Sequence, residues 1–218
     1  MRYRCVDIET AVNPKALDWL EPVKPDSRLK DPEKIKASIE EKTAERNEKL
    51  ALDWDCCRIV ALGHGEAEGK DHVIICRDEE TEAAALDALA KRIVNAAGVV
   101  RPLVSFNGFG YDLPVLMRRA QYLGVTFPLL SVDKYRSPHI DLMQKLSFNG
   151  AIKPHSLKFY ASRFGMPVAD DIQGSQIADL VREGAWEAVE SHCRSDLALT
   201  RFLAQKLKLI SSAETVAA

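Results

Sequence analysis

The sequence lacks the features that would place a protein in a membrane or in an oxidising compartment. No apolar run approaches the ~20 residues that span a bilayer, and the N-terminal stretch MRYRCVDIET has no signal-peptide core. The five cysteines include no CxxC pair, which disfavours both a disulfide framework and a zinc site. We therefore expect a cytoplasmic protein that has no membrane partner.

Positive charge is not in excess overall, yet it is concentrated in one segment. The chain has 218 residues and a net charge of −2. Residues 101–163 contain nine lysines and arginines against three acids, so this segment carries +6 and the remainder carries −8. A basic segment in an acidic chain favours a local anionic partner such as a phosphate backbone. Scattered solubilising charge would give the same counts.

The order of predicted elements indicates an α/β fold with a mixed sheet. Strands are predicted at YRCVDIET, CRIVALGHG, DHVIICRD and RPLVSFN, with a hairpin turn at EAEG and a fifth strand near residues 137–143. Helices are predicted over residues 79–98, 111–124 and 156–167, and over 175–209 with a break near Gly184. A mixed central sheet of about five strands, flanked by helices, matches the ribonuclease H-like arrangement.

Residues 13–53 separate the first two strands and do not fit a compact core. Three prolines open this stretch, and a charged helix follows, with Asp31 as its cap and Pro32 at its first position. We expect a largely helical insertion within a single domain over residues 1–210, followed by a flexible tail over 211–218. The insertion is either a solvated surface feature or a lid beside the active site.

Asp7 and Glu9 stand two positions apart in the first predicted strand. Alternate residues of a strand face the same side, and a carboxylate near the centre of a sheet is costly to bury without a partner. The pair therefore indicates a cation. A solvated strand end would explain a lone DxE motif equally well.

Asp112 and Asp196 add two further carboxylates. Asp112 follows the strand that ends at Asn107, on the side where such sheets place their sites, although an ordinary helix N-cap is the alternative. Asp196 lies four residues after His192 on a predicted helix, so the two share one face. Mg²⁺ prefers oxygen ligands, and two such ions can clamp a phosphodiester. A histidine, with an ordinary pKa of ~6.5, suits proton transfer at neutral pH.

Three motifs in the order DIE, NGFGYD and HCRSD resemble the DEDD superfamily of 3′–5′ exonucleases. The likeness extends over nearly the whole chain and is to exonuclease-like proteins related to the proofreading domain of family B DNA polymerases. It implies that Asp7, Glu9, Asp112 and Asp196 bind two divalent metal ions, Mg²⁺ or Mn²⁺. It also implies that the substrate is the 3′ end of single-stranded nucleic acid, with DNA favoured over RNA, and that the products are 5′-mononucleotides.

His192 departs from the pattern of that superfamily. The third motif has either a tyrosine four residues before the last aspartate or a histidine five residues before it, whereas this chain has a histidine four residues before Asp196. One helical residue corresponds to ~100° of rotation, so we expect His192 at the place of the tyrosine. Its expected role is that of the catalytic base. The alternative is that it only holds a water or caps a neighbour.

Further residues are weaker candidates. The expected substrate contacts are Asn107, Phe109, Tyr111 and Lys153, with core packing as the alternative for the two aromatics. Lys158, Arg118 and Arg119 are candidate phosphate contacts, with solvated side chains as the alternative. Asp141 is either a supporting carboxylate of the site or a cap. His139 and His155 are either structural or phosphate-binding residues.

Two other functions fit the same residues. One is an exoribonuclease, because recognition of a 2′-hydroxyl group leaves no clear mark in a sequence. The other is a non-catalytic module that binds nucleic acid or assembles with proteins on the same fold. A replication or repair partner is compatible with the exonuclease interpretation, and the sequence makes no prediction of the oligomeric state.

Overall fold

The computed structural model describes residues 3–66 and 70–210 of the chain, and within them one five-stranded sheet is found. The strands are β1 (Arg4–Val12), β2 (Cys57–Glu66), β3 (Asp71–Ile75), β4 (Leu103–Ser105) and β5 (Ile140–Asp141). The predicted tail and part of the predicted EAEG turn lie outside the described residues.

The sheet has the order β3-β2-β1-β4-β5, so the first strand lies at its centre. Strand β1 pairs antiparallel with β2 and parallel with β4, and β4 pairs parallel with β5. The predicted mixed, ribonuclease H-like sheet is confirmed. Because β1, β4 and β5 run in the same direction, their carboxyl ends meet at one edge, where sheets of this type place their sites.

Helices cover both faces of the sheet. They are α1 (Ala16–Trp19), α2 (Pro32–Lys49), α3 (Glu79–Ile93), α4 (Asp112–Tyr122), α5 (Leu142–Leu146), α6 (Leu157–Arg163), α7 (Ile177–Glu183) and α8 (Trp186–Lys206). Val6 and Ile8 of β1 join the core formed with α3 and α4, whereas Cys5 joins the core formed with α6 and α8. Since side chains alternate along a strand, Asp7 belongs to the same face as Cys5 and is directed toward α8.

The predicted role of Arg119 as a phosphate contact is wrong. Its side chain is buried, and its guanidinium group forms two hydrogen bonds with Glu82, at 2.7 Å and 2.8 Å. Glu82 also accepts a hydrogen bond from the backbone of Ile59 at 3.0 Å. A buried charge is retained only when it is paired in this way, so Arg119 joins α4 to α3 and β2 and is unable to reach a substrate.

The helix predicted over residues 79–98 ends earlier than expected. Val94 adopts an extended conformation and forms an isolated bridge with Val100, so α3 ends at Ile93. Gly98, with φ of +75°, lies in the turn between the two valines. The predicted break near Gly184 is found between α7 and α8, where this residue has a left-handed conformation that suits glycine.

The insertion between β1 and β2 contains α1, α2 and a short 3₁₀ turn, Leu50–Leu52. Asp31 caps α2 through its side chain, as predicted, and Pro32 is at the first helical position. The side chains of α2 that the structure describes are exposed or half-buried, in keeping with a solvated helix. At the end of the insertion, however, the carbonyl oxygen of Ala51 accepts hydrogen bonds from the hydroxyl groups of Thr10 and Tyr111. The insertion is therefore fastened to β1 close to Glu9.

Candidate active site

The four predicted carboxylates line one cavity at the carboxyl edge of the sheet. The cavity has a volume of about 340 Å³, and its wall includes Asp7, Glu9, Asp112 and Asp196 together with His192. Asp7 and Glu9 come from β1, whereas Asp112 comes from the start of α4 and Asp196 comes from α8. The structure therefore brings the four predicted side chains to one cavity.

Strand β1 changes its register at the site. Glu9 lies opposite Ala61, whereas the next residue, Thr10, lies opposite Ile59, so Val60 is an extra residue of β2. Such a bulge twists a sheet locally and often occurs beside an active site. It is located at Glu9, one of the two acidic residues that β1 contributes to the cavity.

A tight turn after β4 places Asp112 at the start of α4. Asn107 has a φ of +63°, which is uncommon for a residue other than glycine. The carboxylate of Asp141 accepts hydrogen bonds from the backbone N–H groups of Asn107 and Phe109, both at 3.0 Å. It also caps α5 by accepting from the backbone of Met143 at 2.9 Å. Asp141 is thus both a cap and the residue that holds the turn leading to Asp112.

Helix α8 approaches the sheet closely at Gly63. A Cβ atom at this glycine would lie 2.7 Å from Cys193 Sγ and 2.7 Å from a carbon of Leu197, so a larger residue would push the helix away. His192 and Asp196 each precede one of these two contact residues. One residue corresponds to ~100° around a helix, and this rotation turns both side chains from the sheet surface into the cavity.

Burial raises the pKa values of all four carboxyl groups, and repulsion by neighbouring carboxylates adds to it. Burial and the neighbouring Glu9, Asp112 and Asp196 hold the pKa of Asp7 well above its usual range, and burial followed by Asp196 and Asp112 does the same to Glu9. Burial, with a contribution from Asp141, raises the pKa of Asp112 to about 7. Burial also raises the pKa of Asp196. Four like charges in one cavity are unfavourable unless positive charge compensates them.

The donor set fits divalent cations. Asp7 Oδ2 and Asp196 Oδ1 are buried and have no hydrogen-bond partner among the residues that the structure describes. An unpaired buried oxygen is costly, and a cation would satisfy both atoms. Donor atoms of Asp7, Glu9 and Cys193 lie within 4.8 Å of one another. Burial raises the pKa of the Cys193 thiol well above its usual range, so the oxygen atoms are the better ligands for a hard cation such as Mg²⁺.

His192 is held by a residue that the sequence analysis did not select. Its Nδ1 lies 2.6 Å from Asp170 Oδ2, while its Nε2 lies 3.6 Å from Glu9 Oε1 and 4.0 Å from Asp196 Oδ2. The carboxylate of Asp170 accepts the Nδ1 proton, which leaves Nε2 as the nitrogen that faces the cavity. The ring is only 3% exposed, so packing also restricts its orientation.

Lys158 fixes Asp170 in turn. Its Nζ lies 3.1 Å from Asp170 Oδ2 and donates to the backbone carbonyl groups of Asp170 and Ile172. Burial alone would raise the pKa of Asp170, but hydrogen bonds from His192, the Ile172 backbone and Lys158 outweigh it and lower the pKa. Lys158 also lines the cavity. The acidic pair at positions 170 and 171, shortly before α7, was the only sequence signal that could have identified Asp170.

Two of the four predicted substrate contacts line the cavity, and the other two do not. Asn107 and Tyr111 line the cavity, and the Tyr111 hydroxyl oxygen lies 2.6 Å from that of Thr10. Phe109 packs against the core beneath α4, as the alternative interpretation proposed. Lys153 is exposed, three residues before the cavity residue Ser156.

The remaining candidates have structural contacts. His139 is buried and accepts a hydrogen bond from the backbone of Leu103 at 3.1 Å. His155 stacks on Phe159, with 4.0 Å between the ring centroids. Arg118 pairs with Asp55 at 3.1 Å, beside the insertion.

In the part of the chain that the structure describes, no helix is both long enough and apolar enough to cross a bilayer.

Comparison with known proteins gives a family match and a similarity of fold. A family model described as "Predicted 3'-5' exonuclease related to the exonuclease domain of PolB" matches residues 52–215. The fold is similar to that of the family B DNA polymerase from the hyperthermophilic archaeon Pyrobaculum calidifontis, with a TM-score of 0.64 and 18% sequence identity. This similarity covers 95% of the chain but 24% of the polymerase, so the chain spans about a quarter of that protein. No curated protein matches the sequence.

Proposed function

Because the chain belongs to the family of predicted 3′–5′ exonucleases related to the exonuclease domain of PolB, we propose that it is a metal-dependent exonuclease acting on single-stranded nucleic acid. It would remove 5′-mononucleotides one at a time from the 3′ end. DNA is the proposed substrate, because the family is defined by its relation to a DNA polymerase domain and a solved structure of similar fold is a family B DNA polymerase. A replication or repair protein is the corresponding partner.

The observation that supports this proposal most strongly is the set of unsatisfied carboxylates. Asp7 Oδ2 and Asp196 Oδ1 are buried without a partner among the described residues, in a cavity that also contains Glu9 and Asp112. Isolated buried charges destabilise a fold, so a chain that retains four of them needs a cation. Asp7, Glu9, Asp112 and Asp196 would hold the ions.

The chemistry divides between the ions and the side chains. When bound, a pair of Mg²⁺ or Mn²⁺ ions would stabilise the attacking and leaving oxygens of the phosphodiester. His192 Nε2 faces the cavity beside Glu9 and would accept the proton of the attacking water. Asp170 would keep the Nδ1 proton in place, so that Nε2 carries the lone pair, and would stabilise the imidazolium that forms.

A direct assay tests the function. The substrates are single-stranded DNA and RNA of the same sequence, each prepared in a 5′-labelled form and in a 3′-labelled form. They are incubated with the protein in Mn²⁺ or in EDTA. We expect early release of the 3′ label as mononucleotide, a descending ladder from the 5′-labelled strand, and faster cleavage of DNA. Absence of metal-dependent release from both substrates would contradict the enzymatic function, and faster cleavage of RNA would contradict the proposed preference.

Replacement of Asp170 tests the role assigned to His192. Asp170→Asn should lower kcat roughly tenfold or more while KM changes little, because the imidazole keeps its site but loses the charge that fixes its tautomer. His192→Ala should lower kcat further, by about 10²–10⁴-fold, the range of a general base. Steady-state kinetics on a 3′-labelled oligonucleotide measures both effects.

The neighbouring exposed carboxylate supplies the control for this experiment. Asp171→Asn makes the same chemical change one residue further along the chain and should leave kcat unaltered. NMR of ¹⁵N-histidine-labelled protein should show the Nδ1–H tautomer of His192 in the wild type and its loss in Asp170→Asn. Equal kcat values for Asp170→Asn and the wild type would show that Asp170 has no part in catalysis.

A further inference from the structure

An exposed surface rich in aromatic and basic residues adjoins the catalytic cavity and is not accounted for by the catalytic site. It is formed by two loops, residues 131–139 before β5 and residues 147–155 between α5 and α6. The loops are in contact, since Lys134 Nζ donates to the carbonyl oxygen of Asn149 at 3.3 Å. We call these two loops together the β5 rim.

The aromatic residues of the β5 rim are placed in solvent. Tyr135 is 72% exposed and Phe148 is 70% exposed, and Lys134 Nζ lies 5.1 Å from the centroid of the tyrosine ring. Exposed aromatic rings do not stabilise a fold by burial, because their apolar surface stays in water. Such rings are suited to stacking on the bases of a single strand, which offer π-faces whatever the sequence.

The backbone conformation at Phe148 also indicates that this residue contacts a ligand. Phe148, Asn149 and Gly150 are three consecutive residues with positive φ, at 53°, 59° and 92°. Glycine and asparagine tolerate this region, whereas a bulky residue adopts it at a conformational cost. Phe148 is thus unfavourable in its backbone conformation and unburied in its side chain. Fold stability gives no reason for a phenylalanine at this position, whereas contact with a ligand does.

The β5 rim carries a net positive charge. The exposed cations of the two loops and of the adjoining helix α5 are Lys134, Arg136, Lys145 and Lys153. The one acid of the two loops is Asp133, whose carboxylate accepts hydrogen bonds from the backbone of Tyr135 at 2.8 Å and of Arg136 at 3.0 Å. A surface on which cations outnumber acids attracts a phosphate backbone, and binding releases the counterions of the nucleic acid.

Both loops of the β5 rim end close to the catalytic cavity. Lys153 is three residues before Ser156, which lines the cavity, so their Cα atoms are at most about 11 Å apart. On the other side, Asp141 of β5 binds the turn at Asn107 that leads to Asp112. A polynucleotide whose 3′ end occupies the cavity would therefore meet these loops with its preceding nucleotides.

Building on the proposed nuclease function, we propose that the β5 rim binds the single strand upstream of the scissile phosphodiester. Tyr135 and Phe148 stack on bases, and Lys134 and Lys153 contact phosphates. Stacking and phosphate contacts do not distinguish one base from another. The rim therefore selects an unpaired strand of several nucleotides, whatever its base sequence.

The test compares a long substrate with a short one. Two double variants are measured, Tyr135→Ala/Phe148→Asn and Lys134→Ala/Lys153→Ala, on single-stranded dT15 and on the dinucleotide dT2. Asparagine at position 148 tolerates the positive φ, so this variant should keep or gain thermal stability. We expect KM for dT15 to rise at least about tenfold in each variant, because two stacked bases or two neutralised phosphates are removed. Values for dT2, which has one nucleotide and no phosphate upstream of its single scissile bond, should change less than about twofold.

The control removes two exposed lysines that lie outside the β5 rim. Lys70 precedes β3, at the other edge of the sheet, and Lys91 is exposed on α3. Lys70→Ala/Lys91→Ala changes the net charge by the same amount and should leave KM for dT15 unchanged. Equal effects of the two lysine pairs would show that general electrostatic attraction, and not the rim, is responsible, and would overturn the proposal.

Equilibrium binding separates failure of this proposal from failure of the nuclease function. Fluorescence anisotropy of 5′-fluorescein-dT15 in EDTA requires no catalysis. Lys134→Ala/Lys153→Ala should reduce the dependence of log K on log salt by about 0.7 for each phosphate that is no longer neutralised, and Tyr135→Ala/Phe148→Asn should weaken binding about tenfold without altering that slope. Unchanged affinity in both variants would overturn the proposal and leave the rim as a surface for a protein.

Discussion

Asp112→Asn is expected to lower exonuclease activity by at least about a thousandfold, which corresponds to about 4 kcal/mol of lost transition-state stabilisation. Asparagine has nearly the shape of aspartate, but it is neutral and is a poor ligand for a hard cation. Asp112 stands at the beginning of α4 on the turn held by Asp141, so the substitution leaves the backbone hydrogen bonds of that turn in place. Initial rates of 3′ label release in Mn²⁺ measure the effect.

The same substitution should stabilise the metal-free protein. Burial raises the pKa of Asp112 to about 7, which means that its ionised form is destabilised in the fold. Since one unit of pKa corresponds to about 1.4 kcal/mol, removing the charge at pH 8 should raise the free energy of unfolding in EDTA by about 1–4 kcal/mol. A variant that is more stable and yet inactive would separate the metal-binding role of Asp112 from any role in folding.

Asp18→Asn is the matched control, because Asp18 is an exposed carboxylate in α1. It should change neither the rate nor the free energy of unfolding. Full activity of Asp112→Asn would remove this residue from the metal site. Loss of stability in EDTA at pH 8 would show that the hydrogen bonds from the backbone of Ile8 and Asp112 to this carboxylate outweigh the cost of its burial.

The metal-free protein should lose stability as the pH rises from about 4 to about 7. Unfolded carboxyl groups titrate near pH 4, whereas burial and mutual repulsion hold the pKa values of Asp7, Glu9 and Asp112 above this value in the folded chain. In this window the folded state therefore binds more protons than the unfolded state. Under that condition the free energy of unfolding falls with increasing pH. Below pH 4 both states are protonated, and the effect disappears.

Mn²⁺ should reverse this loss. The ligands must be deprotonated before a cation binds, so the stabilisation by Mn²⁺ should be small near pH 5 and large near pH 8. At a concentration a thousandfold above Kd it amounts to about 4 kcal/mol, or an increase in Tm of about 10 °C for a chain of this size. Thermal unfolding in Mn²⁺ and in EDTA, followed by circular dichroism across this pH range, measures both trends.

The Asp112→Asn variant also serves as the reference for the pH experiment. At each pH, the stability of the variant is subtracted from that of the wild type. The subtraction cancels the contribution of every titrating group outside the site, including acids that are stabilised by partners elsewhere. The difference between the two proteins should grow from pH 4 to pH 7 in EDTA. A constant difference, or a shift in Tm on adding Mn²⁺ that does not depend on pH, would mean that the four carboxyl groups are not the sites of binding.

Local patterns in the sequence predicted most of the elements. Alternation of apolar residues identified β1, and a cap at Asp31 followed by Pro32 identified the start of α2. These features depend on residues a few positions apart, so they are visible without knowledge of the fold. The end of α3 was predicted five residues too late, because the pairing of Val94 with Val100 depends on the strand that follows.

The carboxylates could be predicted because two spacing rules apply to them directly. Asp7 and Glu9 share a face by the period of a strand, and His192 and Asp196 share a face by the period of a helix. Joining the two pairs required the order of the motifs along the chain. The structure then brings both pairs to the cavity that Asp112 also lines.

What the sequence alone determined is therefore most of the elements and the acidic set. The elements and the two pairs follow from short-range periodicity, and Asp112 follows from its place after a strand and from the order of the motifs. Only the tertiary structure decided the partners: Asp170 for His192, 22 residues away, and Glu82 for Arg119, 37 residues away. The first contact turns a loop carboxylate into part of the site, and the second removes a candidate phosphate contact from it. Neither is visible in the sequence, because a charged side chain is chosen as a partner by distance in space and by burial, and a local pattern contains neither quantity.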